Sequence, residues 1–411
     1  MPDFYDALET LEPAQREAQL FSRLPAQIAH AKANSAFYRR AFEGIDSSSI
    51  AGREALAKLP VTRKSELLEV QKAQKPFGGL NATPAAGLAR IFMSPGPIYD
   101  PEGRGPDFWR TARTLHAAGF RPADVVLNCF SYHLTPAGSM LETGLQHLGC
   151  AVIPGGVGQT ELQARAIADL EPSGYVGTPS FLKIILEKCD ELALPCGSIR
   201  RALVSGEAFM PAVRSFLAAR GVEAFQAYGT ADLGMIAYET EAREGLVVNE
   251  GLIIEIVRPG TGDPVVEGEV GEVVVTTFNA DYPLVRFATG DLSAVLPGRS
   301  PCGRTNVRIK GWMGRADQTT KVRGMFVHPH QVAEVLRRHG LARGRLVVAN
   351  DAGEDRMTLR VEGDAPGDAT LAEAIEGTLR ELMKVRGDVT FVSRGSLPND
   401  GKVIEDARAY S

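Results

Sequence analysis

The chain has 411 residues, of which 44% are hydrophobic, and its 45 Lys and Arg against 50 Asp and Glu give a net charge of −5. This length predicts two or three domains of an ordinary globular protein. The negative charge and the lack of a basic run argue against a nucleic-acid partner, and no apolar run reaches the roughly 20 residues of a membrane-spanning helix.

The N-terminal residues have neither a basic n-region nor an apolar h-region, so no signal peptide is visible and we expect a cytoplasmic protein. The cysteines are odd in number and have no CxxC spacing, which signals neither a disulfide framework nor a zinc site. We expect most of them to be small buried side chains. They are Cys129, Cys150, Cys189, Cys196 and Cys302.

Residues 1–85 have a helical, largely polar pattern. Leu20, Leu24 and Ile28 recur every four residues and predict one buried helix face. Pro25 lies within this pattern, and we expect it to kink or break the helix because proline lacks a backbone N–H.

From about residue 107 to 230, helical segments alternate with short apolar runs: DVVLNCF, CAVIP, GYVG, RALVSG and EAFQAYG. This alternation is typical of βα units in a parallel sheet, so we predict an α/β fold with the sheet in residues 86–245. Loops rich in Gly, Ser, Thr and Tyr follow the predicted strands. Because ligands of open α/β sheets bind outside the carboxyl ends of the strands, these loops predict one site at one edge.

After residue 245 the pattern changes to hairpins, which predicts an antiparallel β-subdomain over 246–316. It would complete a large N-terminal domain of residues 1–316. From 317 onward the predicted order is αββαβ, and about 95 residues of this kind can close a core of their own. We therefore predict a small C-terminal domain over 317–411.

The segment YGTADLG combines an aromatic ring with a carboxylate. Tyr228 ends a predicted strand, Gly229 lets the backbone turn, and Asp232 follows four residues after the tyrosine. A ring can stack on a nucleotide base and a carboxylate can hold Mg²⁺. The alternative is a plain strand-terminal turn in which Asp232 caps a following helix.

The segment FATGDLS places Asp291 behind a glycine turn, where its carboxylate could accept hydrogen bonds from ribose hydroxyls. Such a turn is common and is a weak signal by itself. Arg315 in MGRADQ offers a bidentate fork for a phosphate or ribose, or else forms a surface ion pair.

Two further segments leave alternatives open. PGGVGQTELQ suggests a phosphate loop but lacks the lysine of that motif, and Thr160 with Gln163 predicts a helix capping box instead. His133 could act as a base, although no nucleophile elbow accompanies it, and a place in a pocket wall is the alternative.

Taken in order, seven motifs resemble the adenylate-forming (acyl-CoA synthetase) superfamily and, within it, the phenylacetate–CoA ligase family. The resemblance runs over nearly the whole chain. It implies ATP-dependent activation of a carboxylic acid, aryl in this family, to an acyl-AMP, followed by capture of the acyl group by CoA. The motifs are NSAFYRRAF, LPVTRKSEL, GYVGTPSFL, YGTADLG, FATGDLS, CGRTNVRIKGWMGRADQ and GKVIEDAR.

The resemblance also implies roles for single residues. Tyr228 resembles the adenine-stacking residue, Asp232 the acid on the Mg²⁺ side, Asp291 the ribose-binding aspartate and Arg315 the phosphate- or ribose-contacting arginine. Further nucleotide-binding positions are Gly206, Glu207, Gly229 and Thr230.

Other implied roles concern the acyl group and the small domain. Tyr132 and His133 fall near the acyl pocket, and Asp317 matches the hinge about which a mobile C-terminal domain rotates. Lys402, after a Pro-Asn-Asp-Gly turn, matches the lysine that stabilises charge during adenylation. The implied substrates and cofactors are a small carboxylic acid, ATP, Mg²⁺ and CoA, and a homodimer is possible.

The sequence departs from the family in two places. The family's phosphate loop resembles SSGTTG, whereas FMSPGPIYDPEGRG retains Ser94 and Gly96 beside Pro95 and Pro97, which have no N–H to donate. Many relatives also carry Cys/His metal ligands after YGTADLG, whereas here Cys302 has no such partners, so we expect no zinc.

There are two alternatives to a CoA ligase. The protein could be a non-catalytic homologue that binds a nucleotide or an acyl group, or it could transfer the acyl group to an amine or a carrier protein.

Overall fold

The computed structural model describes residues 4–408 except 314, 317, 319, 328, 352–353, 364–368 and 399–401, with backbone alone at 326, 329, 330 and 351. The chain divides into two compact units, Met1–Trp312 and Met313–Ser411. The boundary that we predict at Asp317 falls on a residue outside the described ones. Among the described helices, none is long and apolar enough to cross a membrane.

The large unit begins with helices whose apolar faces are buried. Leu24 and Ile28 are fully buried in the first helix, which runs unbroken across Pro25. Of the two outcomes predicted for Pro25, a break of the helix was therefore wrong, because the buried face continues on both sides of the proline, and a kink stays a prediction. The elements are α1 (Pro13–Asn34), α2 (Ala36–Ala41), α3 (Arg53–Ala57), β1 (Thr62–Arg63), α4 (Leu67–Ala73), β2 (Arg90–Ser94) and β3 (Ile98–Glu102).

The predicted parallel sheet is present, and its strands lie within two residues of the apolar runs in the sequence. Five parallel strands take the order β5-β4-β6-β7-β8. The chain order reverses between β4 and β6, which is where such sheets bind ligands. The elements are α5 (Thr111–Ala117), β4 (Val125–Asn128), α6 (Ala137–Leu148), β5 (Ala151–Ile153), α7 (Thr160–Leu170), β6 (Gly174–Gly177), α8 (Pro179–Glu191), β7 (Arg201–Val204), α9 (Pro211–Ala219) and β8 (Glu223–Thr230).

The predicted antiparallel subdomain follows, which confirms the mixed α/β class. Four strands extend the parallel sheet beyond β8 in the order β9, β10, β15 and β14. The strands β11, β12 and β13 form a second sheet together with β1, in the order β1-β13-β12-β11. The strands are β9 (Gly234–Tyr238), β10 (Leu246–Val248), β11 (Leu252–Val257), β12 (Gly271–Thr277), β13 (Phe287–Ser293), β14 (Val295–Leu296) and β15 (Arg308–Ile309).

A network of ion pairs and hydrogen bonds connects Glu9, near the N-terminus, to the strands and loops of this unit. The Glu9 carboxylate is buried, accepts a hydrogen bond from the Tyr238 hydroxyl at 2.8 Å and lies 3.2 Å from Nε of Arg304. The Thr305 N–H donates to the Glu9 carbonyl at 2.9 Å. Buried charge is tolerated where it is paired and hydrogen-bonded, as it is here.

One expectation about the cysteines was wrong. Cys189 and Cys196 form a disulfide between α8 and the loop that leads to β7. Their spacing of seven residues matches no disulfide signature, and the contact arises only because the chain folds back after α8. Cys129, Cys150 and Cys302 are buried free thiols.

The small unit has the predicted αββαβ order. Its sheet has the order β20-β19-β18-β21, and Leu346, Leu359 and Leu379 are fully buried in its core. The β16–β17 hairpin before this unit of elements and β21 after it were not predicted. The elements are β16 (Thr320–Val322), β17 (Met325–Val327), α10 (Pro329–Arg338), β18 (Gly344–Asp351), β19 (Glu354–Gly363), α11 (Ala369–Met383), β20 (Asp388–Ser393) and β21 (Ile404–Asp406).

Candidate active site

The carboxyl ends of β4, β6 and β7 meet at one edge of the sheet. Gly206 has a φ of +84°, and a Cβ there would lie 3.7 Å from both Phe130 and Thr178. The Glu207 carboxylate is exposed and accepts a hydrogen bond from the Ser180 N–H at 2.8 Å. The structure therefore brings Gly206 and Glu207 to the strand ends near the reversal of chain order, as the sequence predicts.

Tyr228 and Asp291 are in direct contact. The Tyr228 hydroxyl lies 2.9 Å from Oδ2 of Asp291 and 3.2 Å from Oγ1 of Thr289. Trp312 Nε1 donates to the other carboxylate oxygen of Asp291 at 3.0 Å. Two predicted site residues, 63 positions apart, thus share one hydrogen-bond network. Trp312 was not predicted, although it lies in a quoted motif.

The turn after Tyr228 requires glycine. A Cβ at Gly229 would lie 2.7 Å from the Gly234 carbonyl oxygen on β9, closer than real side chains come. Thr230 accepts a hydrogen bond from the Leu233 N–H through Oγ1 at 3.2 Å. The alternative of a helix capped by Asp232 was wrong, because the next element is the strand β9.

Asp232 forms an ion pair that the sequence did not reveal. Lys64 Nζ lies 2.5 Å from Oδ2 of Asp232, whose side chain is wholly buried. Burial acts to lower the pKa of Lys64, and the carboxylates of Asp232 and Asp100 outweigh it, so that this pKa is raised. Lys64 belongs to the motif LPVTRKSEL, and that was the one available signal.

Asp100 on β3 adds a second buried carboxyl group. Burial and the negative charge of Asp232 raise its pKa well above the ordinary value. Among the described residues, no donor bonds to either carboxylate oxygen of Asp100 or to Oδ1 of Asp232. Carboxylate oxygens are the ligands that Mg²⁺ prefers, so the chemistry of this pair fits the ion.

The segment at the place of the phosphate loop is a β-hairpin. Ser94 ends β2, is buried and donates its hydroxyl to the Ile98 carbonyl at 3.3 Å. In the turn 95–97, Gly96 has the one backbone N–H, because both of its neighbours are prolines. The Met93 N–H donates to the Leu134 carbonyl at 2.8 Å, which joins this hairpin to the loop after β4.

The loop after β4 carries the two residues predicted for an acyl pocket. Tyr132 is half-buried and its hydroxyl accepts a hydrogen bond from Asn128 Nδ2 at 2.8 Å. His133 is exposed, and its backbone N–H donates to Ser131 Oγ at 3.3 Å.

The capping box predicted at the start of α7 was wrong. Thr160 makes no side-chain cap, and the Gln163 amide instead donates to the carbonyls of Gly155 and Gly156 at 3.0 and 2.7 Å. The long glutamine side chain reaches back to the glycine loop, which local spacing does not reveal.

Cys302 lies in a polar environment. Its Sγ is 3.1 Å from Ser300 Oγ and accepts from Arg304 at 3.6 Å. Burial acts to raise the thiol pKa, but the hydrogen bonds from Ser300, Thr240 and Arg304 outweigh it and lower that pKa. Over the part of the chain that is described, no group of three or more His, Cys, Asp and Glu could hold a metal.

Three predicted residues belong to the small unit. Arg315 is half-buried, and its carbonyl accepts from the Gln318 N–H at 3.2 Å. Lys402 is exposed and precedes β21, and Gln318 Oε1 accepts from the next N–H, that of Val403, at 2.6 Å. Asp317 lies outside the described residues.

Comparison with known proteins agrees with this geometry. The model of the family "AMP-binding enzyme" matches residues 108–279. The chain is 32% identical to the phenylacetate-coenzyme A ligase of Thermus thermophilus, over 87% of this chain and 84% of that one. It is 31% identical to the phenylacetate-coenzyme A ligase of Aromatoleum evansii, over 86% and 84% of the two chains.

Among solved structures, a 2-hydroxyisobutyryl-CoA ligase in complex with its acyl-AMP and CoA is similar, with a TM-score of 0.78 and 25% identity. That similarity covers 98% of this chain and 92% of the other. The parallel sheet, the contact of Tyr228 with Asp291 and these relatives agree on one conclusion. The chain belongs to the phenylacetate–CoA ligase family of adenylate-forming enzymes.

Proposed function

We propose that the protein is an AMP-forming acid–CoA ligase that activates an aryl, phenylacetate-like carboxylic acid. The carboxylate attacks the α-phosphorus of ATP, pyrophosphate leaves, and the thiol of CoA then displaces AMP from the acyl-AMP. The observation that carries the proposal is the hydrogen bond of Tyr228 to Asp291 at 2.9 Å, within a chain of this family.

The nucleotide would bind at the ends of β7, β8 and β13. In this proposal the ring of Tyr228 stacks on adenine, Gly206 and Glu207 border its edge, and Asp291 accepts from the ribose hydroxyls. Gly229 and Thr230 belong to the same site through the turn that follows Tyr228. Arg315 would contact phosphate or ribose through its planar fork.

Asp232, with Asp100 beside it, would hold the magnesium ion that accompanies ATP, and this ion supplies positive charge near the phosphates. Lys64 supports this role, because its ammonium pairs with Oδ2 of Asp232 and holds the buried carboxylate in place. Ser94 and Gly96 would border the phosphates with fewer donors than the family's loop provides.

Lys402 would stabilise the negative charge that builds up between the attacking carboxylate and the α-phosphate. We propose that the small unit rotates about Asp317 and withdraws the lysine before the thioester step. The position of Lys402, exposed and directly before the paired strand β21, supports this role.

The acid would lie against Tyr132 and His133, in the loop after β4. Relatives named for phenylacetate support an aryl group there. We place the enzyme in the cytoplasm, where ATP and CoA are supplied.

We also propose a homodimer. β5 is the edge strand of its sheet, and Leu162 and Leu170 on the neighbouring α7 are 62% and 55% exposed. Exposed apolar side chains beside the open side of an edge strand favour contact with a second copy. Light scattering of wild type and Leu162→Glu tests this, and a wild-type monomer would contradict it.

The experiment that tests the function is pyrophosphate release across a panel of aryl and short-chain acids, each with and without CoA. We expect aryl acids to release pyrophosphate and to give an acyl-CoA once CoA is added. Release without acyl-CoA would point to a different acceptor, and no release from any acid would contradict the proposal.

A further inference from the structure

Asn128 is the last residue of β4 and is wholly buried. Its side chain satisfies three partners in the loop that follows: Oδ1 accepts from the Phe130 N–H at 3.1 Å, and Nδ2 donates to the Gly138 carbonyl and to the Tyr132 hydroxyl, both at 2.8 Å. The N–H of Phe130 requires the carbonyl end of the amide, so the NH₂ end must face Tyr132. One side chain thus fixes the loop after β4 against the first turn of α6.

The hydroxyl of Tyr132 is directed towards the protein. Besides Asn128, it faces the Glu142 carboxylate on α6, and burial together with that carboxylate raises the pKa of Tyr132. The hydrogen bond from Asn128 Nδ2 therefore engages the acceptor capacity of this phenol.

The ring of Tyr132 lies directly on α6. A Cβ at Gly138 would come within 2.9 Å of ring atoms Cδ2 and Cγ, which real side chains do not tolerate. Glycine at 138 is therefore needed for this close approach. The ring is fixed by packing on one side and by its hydroxyl at the far end.

From this arrangement we infer that Asn128 is a positioning residue of the acyl pocket. It holds Tyr132 with the hydroxyl turned away, so that the wall offered to the acid is an apolar ring. The acid that fits has an unsubstituted apolar aryl group at this wall, because a substrate hydroxyl there would lose its water without gaining a partner. The inference rests on the proposed function, in which Tyr132 lines the acyl pocket.

The test compares kcat/KM for phenylacetate with kcat/KM for 4-hydroxyphenylacetate. We expect the wild type to prefer phenylacetate. Asn128→Ala removes the donor that holds the Tyr132 hydroxyl, so that this hydroxyl can bond to the hydroxyl of the substrate. We expect the preference for phenylacetate to fall about five- to tenfold, which corresponds to one hydrogen bond. The KM for ATP should not change. Tyr132→Phe should keep the wild-type preference within about threefold, and it should restore the preference when added to Asn128→Ala.

The matched control is Asn249→Ala. Asn249 is also a buried asparagine, and its Nδ2 donates to the Arg110 carbonyl at 2.7 Å. This variant should lose stability without changing the substrate preference. A general loss of stability would therefore not imitate the effect expected of Asn128→Ala.

The outcomes separate the two proposals. If the wild type adenylates neither acid, the proposed function fails and this inference fails with it. If the wild type is active and a folded Asn128→Ala keeps the wild-type preference, this inference alone is wrong. Should Asn128→Ala not fold, Tyr132→Phe decides: a preference lowered tenfold or more would mean that the phenol faces the substrate.

Discussion

The ammonium of Lys64 lies 2.5 Å from Oδ2 of Asp232, an ion pair that joins residues 168 positions apart. The side chain of Asp232 is wholly buried and that of Lys64 is 23% exposed. Removing one partner of such a pair leaves a buried charge without compensation, which costs more than the pair itself contributes.

We therefore predict that Lys64→Met lowers the free energy of unfolding by about 2–4 kcal/mol, the loss for a buried pair reduced for the partial exposure of the lysine. Lys64→Met combined with Asp232→Asn should cost less than the single change, because no charge is then left alone. Urea unfolding of both variants measures this. Lys72→Met is the control, since its pair with Glu69 is exposed and worth little. Equal losses for Lys64→Met and the control would contradict the prediction.

Asp100 predicts a dependence of stability on pH. Its pKa is raised in the folded protein, so the folded state binds this proton more tightly than the unfolded state. The contribution is complete below the unfolded pKa near 4 and is lost as the pH rises through the folded pKa. Asp100→Asn removes the titrating group and can donate to Asp232.

We expect the melting temperature of Asp100→Asn to exceed that of the wild type by a few degrees at pH 8. The difference should shrink towards pH 5, because protonation then neutralises the wild-type carboxyl. Thermal unfolding across this range measures it. A destabilisation of the variant that is the same at every pH would show that Asp100 is held as a stabilising carboxylate.

Asp291→Ala should weaken AMP binding by about 2–4 kcal/mol, since it removes the acceptor for two ribose hydroxyls. The same change removes the carboxylate to which Tyr228 and Trp312 bond. Tyr228→Phe, which keeps the ring, should lose less affinity. Calorimetric titration with AMP compares the two, with Asp281→Ala as a carboxylate control from the same unit. An Asp291→Ala variant with wild-type affinity would refute the ribose assignment.

Lys402→Ala should slow acyl-AMP formation by about 10²–10³. The variant should still convert supplied acyl-AMP to acyl-CoA, because we assign the lysine to the first step alone. Each half-reaction is measured separately, with Arg386→Ala as a control that removes another exposed cation from the small unit. The melting temperature should stay within a few degrees of wild type. Equal losses in both half-reactions would contradict this division of roles.

Sequence patterns located most of the sheet because its strands are short apolar runs separated by helices. GYVG, for example, is β6 without any shift in its bounds. The hairpin β2–β3 was not predicted, because its proline-containing segment occupies the position of the family's phosphate loop and therefore suggested a loop. Sequence patterns also failed after Tyr228, where a turn could precede either a helix or a strand.

Residues of the site could be predicted only where they belong to a motif of the family. Tyr228 and Asp291 were predicted separately, but their contact depends on β8 and β13 belonging to different sheets that meet at one edge. Lys64 and Asp100 were not predicted, because neither an ion pair nor a buried carboxyl group produces a periodic pattern in the sequence. Such pairings depend on tertiary structure, which local patterns do not encode.

The ion network of Glu9 has a consequence for synthesis on the ribosome. Glu9 is bonded to Tyr238 and to Thr305, residues 229 and 296 positions later in the chain. At about 5–20 residues per second, Tyr238 emerges about 11–46 s and Thr305 about 15–60 s after Glu9 does. During that interval the first segment carries a carboxylate with no place to be buried, and the large unit can complete its folding only when translation has passed residue 305.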